Sequence, residues 1–239
     1  MDAHCHLHLS QPVGRSESPS LRGEKALVNG TQKHDWQDVL SFCNLHPARF
    51  FPSLGLHPWH IPEATDHWSQ NLYDLLESSG AAIGECGLDR SRNRTTPLAL
   101  QQEVLITQLG MARDLKRVIS LHCVGAWGTL LRCLEQIGPL PVPFLLHSIA
   151  CPAEMLPAFL ERNALCSVSF RSPGSLVALI PDDQLVIETD YPFGKSALSW
   201  DAQLNEQLNR LSAIKKQPLG EPSLLENLRT TPHGLASVD

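Results

Sequence analysis

The sequence has no excess of positive charge. Lys and Arg number 19 against 25 Asp and Glu, which gives a formal net charge of -6 across 239 residues. A protein that wraps long duplex DNA relies on many cation contacts to phosphates, so this balance argues against such a role. A polyanionic substrate would have to be held by local cations or by a metal ion.

The sequence also lacks a disulfide pattern and a membrane segment. Its seven cysteines show no C-x-x-C spacing and lie mostly within apolar runs, which is typical of reduced, buried thiols in a cytosolic protein. No apolar run approaches the roughly 18 residues of a membrane span, and the first residues lack the charged and apolar regions of a secretory signal. We therefore expect a cytoplasmic protein that does not engage a membrane.

Short, continuous apolar runs recur along the chain, separated by helical patterns or loops. Parallel strands buried on both faces have this composition, and eight β-α units in about 200 residues describe a small barrel. The sequence therefore predicts an α/β fold, a (β/α)8 TIM barrel that forms a single domain over residues 1–239; a doubly wound open sheet is the alternative. After the first strand, the predicted strands are 26–28, 49–56, 81–84, 118–121, 144–146, 164–170 and 185–187, and the predicted helices are 35–43, 70–78, 98–116, 129–137, 153–162, 175–180 and 201–215.

Two histidines stand at alternate positions, His4 and His6, in the first strand. Alternate residues of a strand point to the same face, so the two imidazoles can converge on one metal ion. Further polar residues stand where later apolar runs stop, which is the end of a barrel strand that carries catalytic groups. These residues are His57, Glu85, His122, His147 and Asp190.

Glu85 is the most informative of these residues. It follows an apolar run, where a buried carboxylate needs a paired charge or a metal. Gly84 and Gly87 leave room for close approach beside it. A metal ion satisfies this carboxylate most simply.

These motifs resemble those of the TatD family of metal-dependent hydrolases, in order and in approximate spacing, over roughly residues 1–195. The Glu85 motif and the motif that contains Asp190 are the specific parts of the resemblance. The motifs are His4-x-His6, Gly55-Leu-His-Pro58, Ile83-Gly-Glu-x-Gly-Leu-Asp89, Ser120-Leu-His-Cys123, Leu146-His147 and Glu188-Thr-Asp-x-Pro192.

The resemblance implies a (β/α)8 barrel with two divalent metal ions and an activity as a deoxyribonuclease or 3′-5′ exonuclease. By that likeness Glu85 would bridge the two ions. His4, His6 and Asp190 would hold one ion, and His122 and His147 would hold the other. A mixed His and carboxylate set suits Zn²⁺ or Mn²⁺ more than Mg²⁺. We expect Asp190 to hold the attacking water and to accept its proton.

Substrate contacts are expected from a histidine and a loop. His57 is a candidate donor to a phosphate oxygen, or a loop histidine that caps backbone carbonyls. Arg90 and Arg92, with Arg94, follow the fourth strand and are the candidate phosphate clamp; a solvated basic loop is the alternative. The expected substrate is single-stranded DNA, an oligonucleotide or a small phosphoester, and the expected state is a monomer.

Departures from the family pattern place a polynucleotide substrate in doubt. Ser148-Ile-Ala-Cys151 follows His147 where the family has an aromatic residue and a Ser-Gly turn, and residues 227–234 lead into a polar tail. Hydrolysis of a small ester, amide or phosphoester is therefore a second hypothesis. A catalytically silent metal-binding protein is a third.

Overall fold

The computed structural model describes residues 1–10, 24–64, 66–193 and 198–216. Eight strands alternate with seven α-helices. The strands are β1 (Asp2–Cys5), β2 (Ala26–Asn29), β3 (Phe50–Leu54), β4 (Ala82–Asp89), β5 (Ile119–Val124), β6 (Phe144–Leu146), β7 (Ala164–Val168) and β8 (Leu185–Ile187). The helices are α1 (Trp36–Asn44), α2 (Trp68–Ser79), α3 (Leu98–Leu115), α4 (Trp127–Ile137), α5 (Leu156–Leu160), α6 (Gly174–Val177) and α7 (Trp200–Lys215).

The eight strands form one parallel sheet in the order of the sequence. The residues that follow β8 close the sheet onto β1. The backbone N–H of Asp190 donates to the carbonyl oxygen of His4 at 3.0 Å, and that of His6 donates to the carbonyl oxygen of Tyr191 at 2.6 Å. This arrangement is the predicted (β/α)8 barrel, and the alternative of an open doubly wound sheet is wrong.

A buried carboxylate also ties this closure together. Asp2 in β1 accepts hydrogen bonds from the backbone and hydroxyl of Thr189 and, at 2.6 Å, from the indole Nε1 of Trp200 in α7. Burial raises the pKa of Asp2 to about 6, although these donors act in the opposite direction. Asp2 thus links the first strand, the end of the last strand and the last helix.

Two strands extend further than the apolar pattern predicts. β4 continues through Glu85 to Asp89, and β5 continues through His122, where Gly87 pairs with His122. Gly87 has φ +146°, and a Cβ there would lie 2.0 Å from the carbonyl oxygen of His122. Only glycine lets the two backbones approach this closely, so Glu85 and His122 lie within paired strands.

The core fills the barrel and the layer between the barrel and its helices. Its largest fully buried side chains include Trp36, Trp200, Phe50, Phe144 and Phe159. All seven cysteines are buried and unpaired, as predicted. Residues 11–25 are rich in Ser, Pro, Gly and charge, which predicts a mobile surface loop. Residues 11–23 of this segment and the tail at 227–234 lie outside the described residues. No described helix combines the length and apolar character needed to cross a membrane.

Candidate metal centre

Six polar side chains meet at the carboxyl end of the barrel. Most of them lie far apart in the sequence. They meet because the parallel strands of the barrel bring their carboxyl ends to the same rim. Five of them are buried and the sixth, His122, is partly buried. The six are His4, His6, Glu85, His122, His147 and Asp190.

Glu85 lies at the middle of the cluster, and its two oxygens face different histidines. Oε2 lies 3.4 Å from Nε2 of His4 and 3.3 Å from Nε2 of His6. Oε1 lies 2.9 Å from Nδ1 of His122 and 3.7 Å from Nε2 of His147. One carboxylate therefore presents one oxygen to each of two groups of imidazoles.

Three of the imidazoles are held in orientation by hydrogen bonds at Nδ1, while their Nε2 atoms face Glu85. His6 donates to the carbonyl oxygen of Asn29 at 2.7 Å, and His147 bonds the Glu188 carboxylate at 3.0 Å. Nδ1 of His4 is hydrogen-bonded to the hydroxyl of Ser120 at 2.9 Å. Because Nδ1 is engaged in these hydrogen bonds, Nε2 is the nitrogen that can bind a metal ion once it is deprotonated, as is usual for metal-binding histidines.

His122 differs from the other histidines of the cluster. Neither of its ring nitrogens has a hydrogen bond of acceptable geometry within the described residues, although Nδ1 is near Glu85 and Nε2 lies 3.5 Å from Oδ2 of Asp89. This imidazole thus lies between two carboxylates without a well-directed hydrogen bond to either of them. A metal ion beside Glu85 would give this ring a partner.

Charge is concentrated at this rim. Although burial acts against it, the Asp190 and Glu85 carboxylates raise the pKa of His6 to about 10. Burial likewise opposes ionisation of Glu85, but His57, His4 and His147 hold the pKa of this carboxyl well below its usual range. The two carboxylates thus create a field that favours positive charge between them.

The donor atoms fit a divalent cation. Among the residues that the structure describes, three trios of side chains have ligand atoms that all lie within 4.8 Å of one another, and Glu85 belongs to two of them. Imidazole nitrogens together with carboxylate oxygens suit first-row divalent ions. The trios are His4, His6 and Glu85; His57, Glu85 and His122; and His4, His147 and Asp190.

Comparison with known proteins identifies this architecture. A family model described as TatD related DNase matches residues 1–223. The 3′-5′ ssDNA/RNA exonuclease TatD of Erwinia amylovora is 32% identical over 192 residues, which cover 76% of this chain and 72% of that protein. The protein of the same name from Erwinia tasmaniensis is 30% identical over 176 residues, which cover 70% of this chain and 68% of that protein.

The chain belongs to the TatD family.

Solved structures agree with this assignment at the level of the fold. YJJV, a TatD homolog from Escherichia coli K12, has a TM-score of 0.84 at 23% identity and covers 96% of both chains. A TatD family hydrolase from Entamoeba histolytica has a TM-score of 0.80 at 17% identity and covers 95% of both chains. As a TatD-family member, the chain is a metal-dependent hydrolase that acts on ester bonds.

In this TatD-family chain, His57 has a different hydrogen-bond pattern from the three oriented histidines. Its Nδ1 accepts the backbone N–H of Trp59 at 3.2 Å, and its Nε2 lies 3.4 Å from Oε1 of Glu85. Burial lowers the pKa of His57 to about 4, so the ring is neutral near pH 7. A neutral ring that accepts at Nδ1 carries its proton on Nε2, and His57 therefore presents a donor to the centre.

The arginine loop lies at the rim but does not contact the six side chains. Arg90, Arg92 and Arg94 are all exposed. The guanidinium of Arg92 lies 3.9 Å from the ring centre of Trp59. The loop therefore places positive charge near the centre, at its solvent side.

Two residues that contact the centre had no assigned role in the sequence analysis. Glu188 was part of a motif, but only the fold shows that it bonds the ring of His147. Arg171 follows β7 with no motif around it, and its guanidinium donates to Oδ2 of Asp190 at 2.6 Å. No local pattern indicates either contact, because the partners lie 41 and 19 positions away in the chain.

The remaining described histidines stay outside the cluster. His34 and His67 are exposed, and His60 lies 3.5 Å from Glu63. His8 is buried beside the centre, 4.0 Å from Asp35, and belongs to none of the trios of candidate ligands. His233 lies outside the described residues.

Proposed function

We propose that this chain is a 3′-5′ exonuclease that removes nucleotides from single-stranded DNA or oligonucleotides with the help of two divalent ions. The placement of Glu85 carries the proposal, because its two oxygens face separate imidazole groups. Two ions about 3.5–4 Å apart are a recurring arrangement for cleaving phosphodiesters. The relatives at 30% and 32% identity bear the name 3′-5′ ssDNA/RNA exonuclease.

The proposed ion assignment follows the two sides of the Glu85 carboxylate. His4 and His6, with Asp190, would hold the ion on the Oε2 side, since Nε2 of His6 also lies 3.6 Å from Oδ1 of Asp190. His122 and His147 would hold the ion on the Oε1 side. Zn²⁺ or Mn²⁺ suits this set better than Mg²⁺.

Divalent ions bound here would supply Lewis acidity, which activates water and neutralises charge on the phosphate. The protein supplies the proton acceptor and the orientation. Asp190 has one carboxylate oxygen near His6 and the other bound by Arg171, and the electrostatic influence of His6 and His147 outweighs burial and holds its pKa below the usual range. It is therefore ionised at neutral pH and able to accept a proton from the attacking water.

Substrate binding is proposed to involve His57 and the arginine loop. The Nε2–H of His57 points at the centre and would donate to a phosphate oxygen. Arg90 and Arg92 would attract the polyanion electrostatically, which is needed in a protein whose formal net charge is -6. In this proposal residues 1–239 act as one catalytic domain and as a monomer.

A small ester or phosphoester is the second candidate substrate, and one observation favours it. A pocket of about 210 Å³ adjoins the centre and is lined by His122, His147, Val124, Trp127 and Arg171, among others. Drug-sized ligands occupy larger pockets, of roughly 300–1,000 Å³. A compact substrate with one charged group would fit this space without the arginine loop.

The test uses purified protein stripped with chelator and reloaded with Mn²⁺, Zn²⁺ or Mg²⁺. Matched single-stranded oligonucleotides carry a label at either the 3′ or the 5′ end, and p-nitrophenyl phosphate and acetate serve as small substrates. We expect immediate release of labelled mononucleotide from the 3′-labelled strand and a descending ladder from the 5′-labelled strand. Turnover of only the small substrates would overturn the exonuclease proposal in favour of the second candidate.

Metal analysis of the same preparations addresses the hypothesis of a silent binding protein. A chain that retains ions without cleaving any of these substrates would support it.

A further inference from the structure

Two exposed aromatic side chains border the metal centre on opposite sides of the Glu85 carboxylate. Trp59 is 47% exposed and Phe193 is 54% exposed, and the other aromatic residues within the described ranges are buried or partly buried. The Trp59 ring meets the ring of His57 edge-on at 5.5 Å, and the Phe193 ring meets that of His6 edge-on at 5.2 Å. Exposed aromatic surface is thus concentrated where the substrate must arrive.

Trp59 is held in place rather than left free. Its indole Nε1–H donates to Oδ2 of Asp89 at 2.6 Å, and that same oxygen lies 3.5 Å from Nε2 of His122. A charge-assisted hydrogen bond of this length fixes the plane of the ring. The carboxylate that fixes the indole therefore also lies beside His122 of the centre.

Arg92 adds a cation to this aromatic surface. Its guanidinium stacks on the indole at 3.9 Å from the ring centre, close enough for a cation-π contact. Indole rings and guanidinium planes are both groups on which proteins stack unpaired nucleobases. Burial of the indole in the core would gain hydrophobic stabilisation, whereas here about half of the side chain faces solvent beside the metal centre.

We propose that Trp59, supported by Arg92, is the stacking platform for a nucleobase of the strand whose phosphate lies at the metal centre. The inference rests on the proposed nuclease function and specifies its substrate as an unpaired nucleic acid end. A base inside a duplex is stacked on both faces and cannot reach the indole, so a single-stranded end is expected to be a better substrate than a paired end. Every base has a π face, so the platform tolerates any sequence.

The test combines a protein variant with a substrate variant. An abasic nucleotide is moved through the last four positions of a 3′-labelled single strand, and Trp59→Ala is compared with Trp59→Phe and the wild-type chain. Stacking on one aromatic side chain corresponds to about 5- to 150-fold in affinity. We expect Trp59→Ala to raise KM by at least about 5-fold with a smaller change in kcat, and Trp59→Phe to retain most of the affinity.

At one of the four positions, the abasic nucleotide should raise the KM of the wild-type protein by the same factor as Trp59→Ala does with the intact strand. With the abasic strand, Trp59→Ala should then cause no further rise in KM. Leu45→Ala is the control, because Leu45 is an exposed side chain at the end of α1, at the opposite end of the barrel. Equal and additive losses from the two changes would overturn the inference, since they would show that Trp59 and the base do not meet. An unchanged KM in Trp59→Ala would also overturn it.

A binding measurement separates this inference from the proposed function. Fluorescence anisotropy of a 5′-labelled single strand is followed with Zn²⁺-loaded Asp190→Asn protein, with and without Trp59→Ala. If the wild-type chain cleaves no nucleic acid but Trp59→Ala weakens this binding at least about 5-fold, the nuclease proposal fails and the platform stands. If cleavage is normal and neither assay responds to Trp59, the platform fails and the nuclease proposal stands.

Discussion

Replacement of Glu188 by glutamine tests how the centre is held in place. Glu188 is fully buried, and its carboxylate receives Nδ1–H of His147 at 3.0 Å and the backbone N–H of Ser148 at 3.2 Å. Glutamine keeps the shape of the side chain but has a single acceptor oxygen. Because Nδ1 of His147 lies 3.0 Å from both carboxylate oxygens, the amide NH₂ group would face this ring N–H in either orientation, which costs about 1–3 kcal/mol of stability.

The larger effect is expected on metal binding. Loss of a partner that orients a metal-binding histidine typically costs about 10- to 100-fold in metal affinity, which equals about 1.4–2.7 kcal/mol. Burial lowers the pKa of His147, but the carboxylates of Glu188 and Glu85 outweigh it and raise this pKa to about 9. Below that pH, protons therefore compete with the metal ion for the ring. Glutamine weakens that competition, so the deficit of Glu188→Gln should be smallest near pH 7 and reach its full size above about pH 9.

The assay is the activity and the calorimetric affinity of chelator-stripped protein titrated with Zn²⁺ or Mn²⁺ between pH 7 and 9.5. Glu103→Gln is the control, because Glu103 is exposed on α3. A metal-activation constant of Glu188→Gln that equals the wild-type value at every pH would refute the orienting role. A loss that does not change with pH would indicate structural damage instead.

Three further predictions address the chemistry, the backbone and the thiols. Asp190 has φ +55°, which asparagine tolerates, so Asp190→Asn should still fold, with a melting temperature lowered by loss of the ion pair with Arg171, while kcat falls about 10²- to 10⁴-fold. Near-normal turnover would exclude Asp190 as the proton acceptor. Gly87→Ala should lower the free energy of unfolding, measured with denaturant, by more than about 3 kcal/mol. Gly110→Ala should raise it by up to about 1 kcal/mol, because no atom lies within 4 Å of the added Cβ. Equal stabilities of the two variants would contradict the packing argument. The buried thiols, such as Cys166 whose pKa burial raises to about 12, should react slowly with a thiol reagent at pH 8 until the chain is denatured, and fast labelling of the native chain would contradict their burial.

The order of strands and the gathering of the six side chains were predictable from sequence. Each strand is a short apolar run, and a parallel barrel brings the ends of all such runs to one rim. A polar residue at the end of such a run, for example His147 after β6, is therefore predicted to lie at this rim. This reasoning needs no knowledge of which strands are neighbours.

Contacts between distant parts of the chain were not predictable in the same way. Asp2 bonds Thr189 and Trp200, 187 and 198 positions away, and nothing local marks it as the partner of either. The length of β4 was missed because Gly84 and Gly87 interrupt its apolar pattern, although the backbone pairing continues past them. Trp59 was missed because its importance depends on the hydrogen bond to Asp89 and the stack with Arg92.

Anomalous diffraction from crystals of the full chain grown with Mn²⁺ would locate the ions themselves. We expect two peaks, one on each side of the Glu85 carboxylate, with His4 and His6 at one ion and His122 at the other. In Glu85→Gln crystals at least one of these peaks should weaken or vanish. Peaks that lie elsewhere, or no peak within reach of Glu85 in the wild-type chain, would contradict the two-ion proposal.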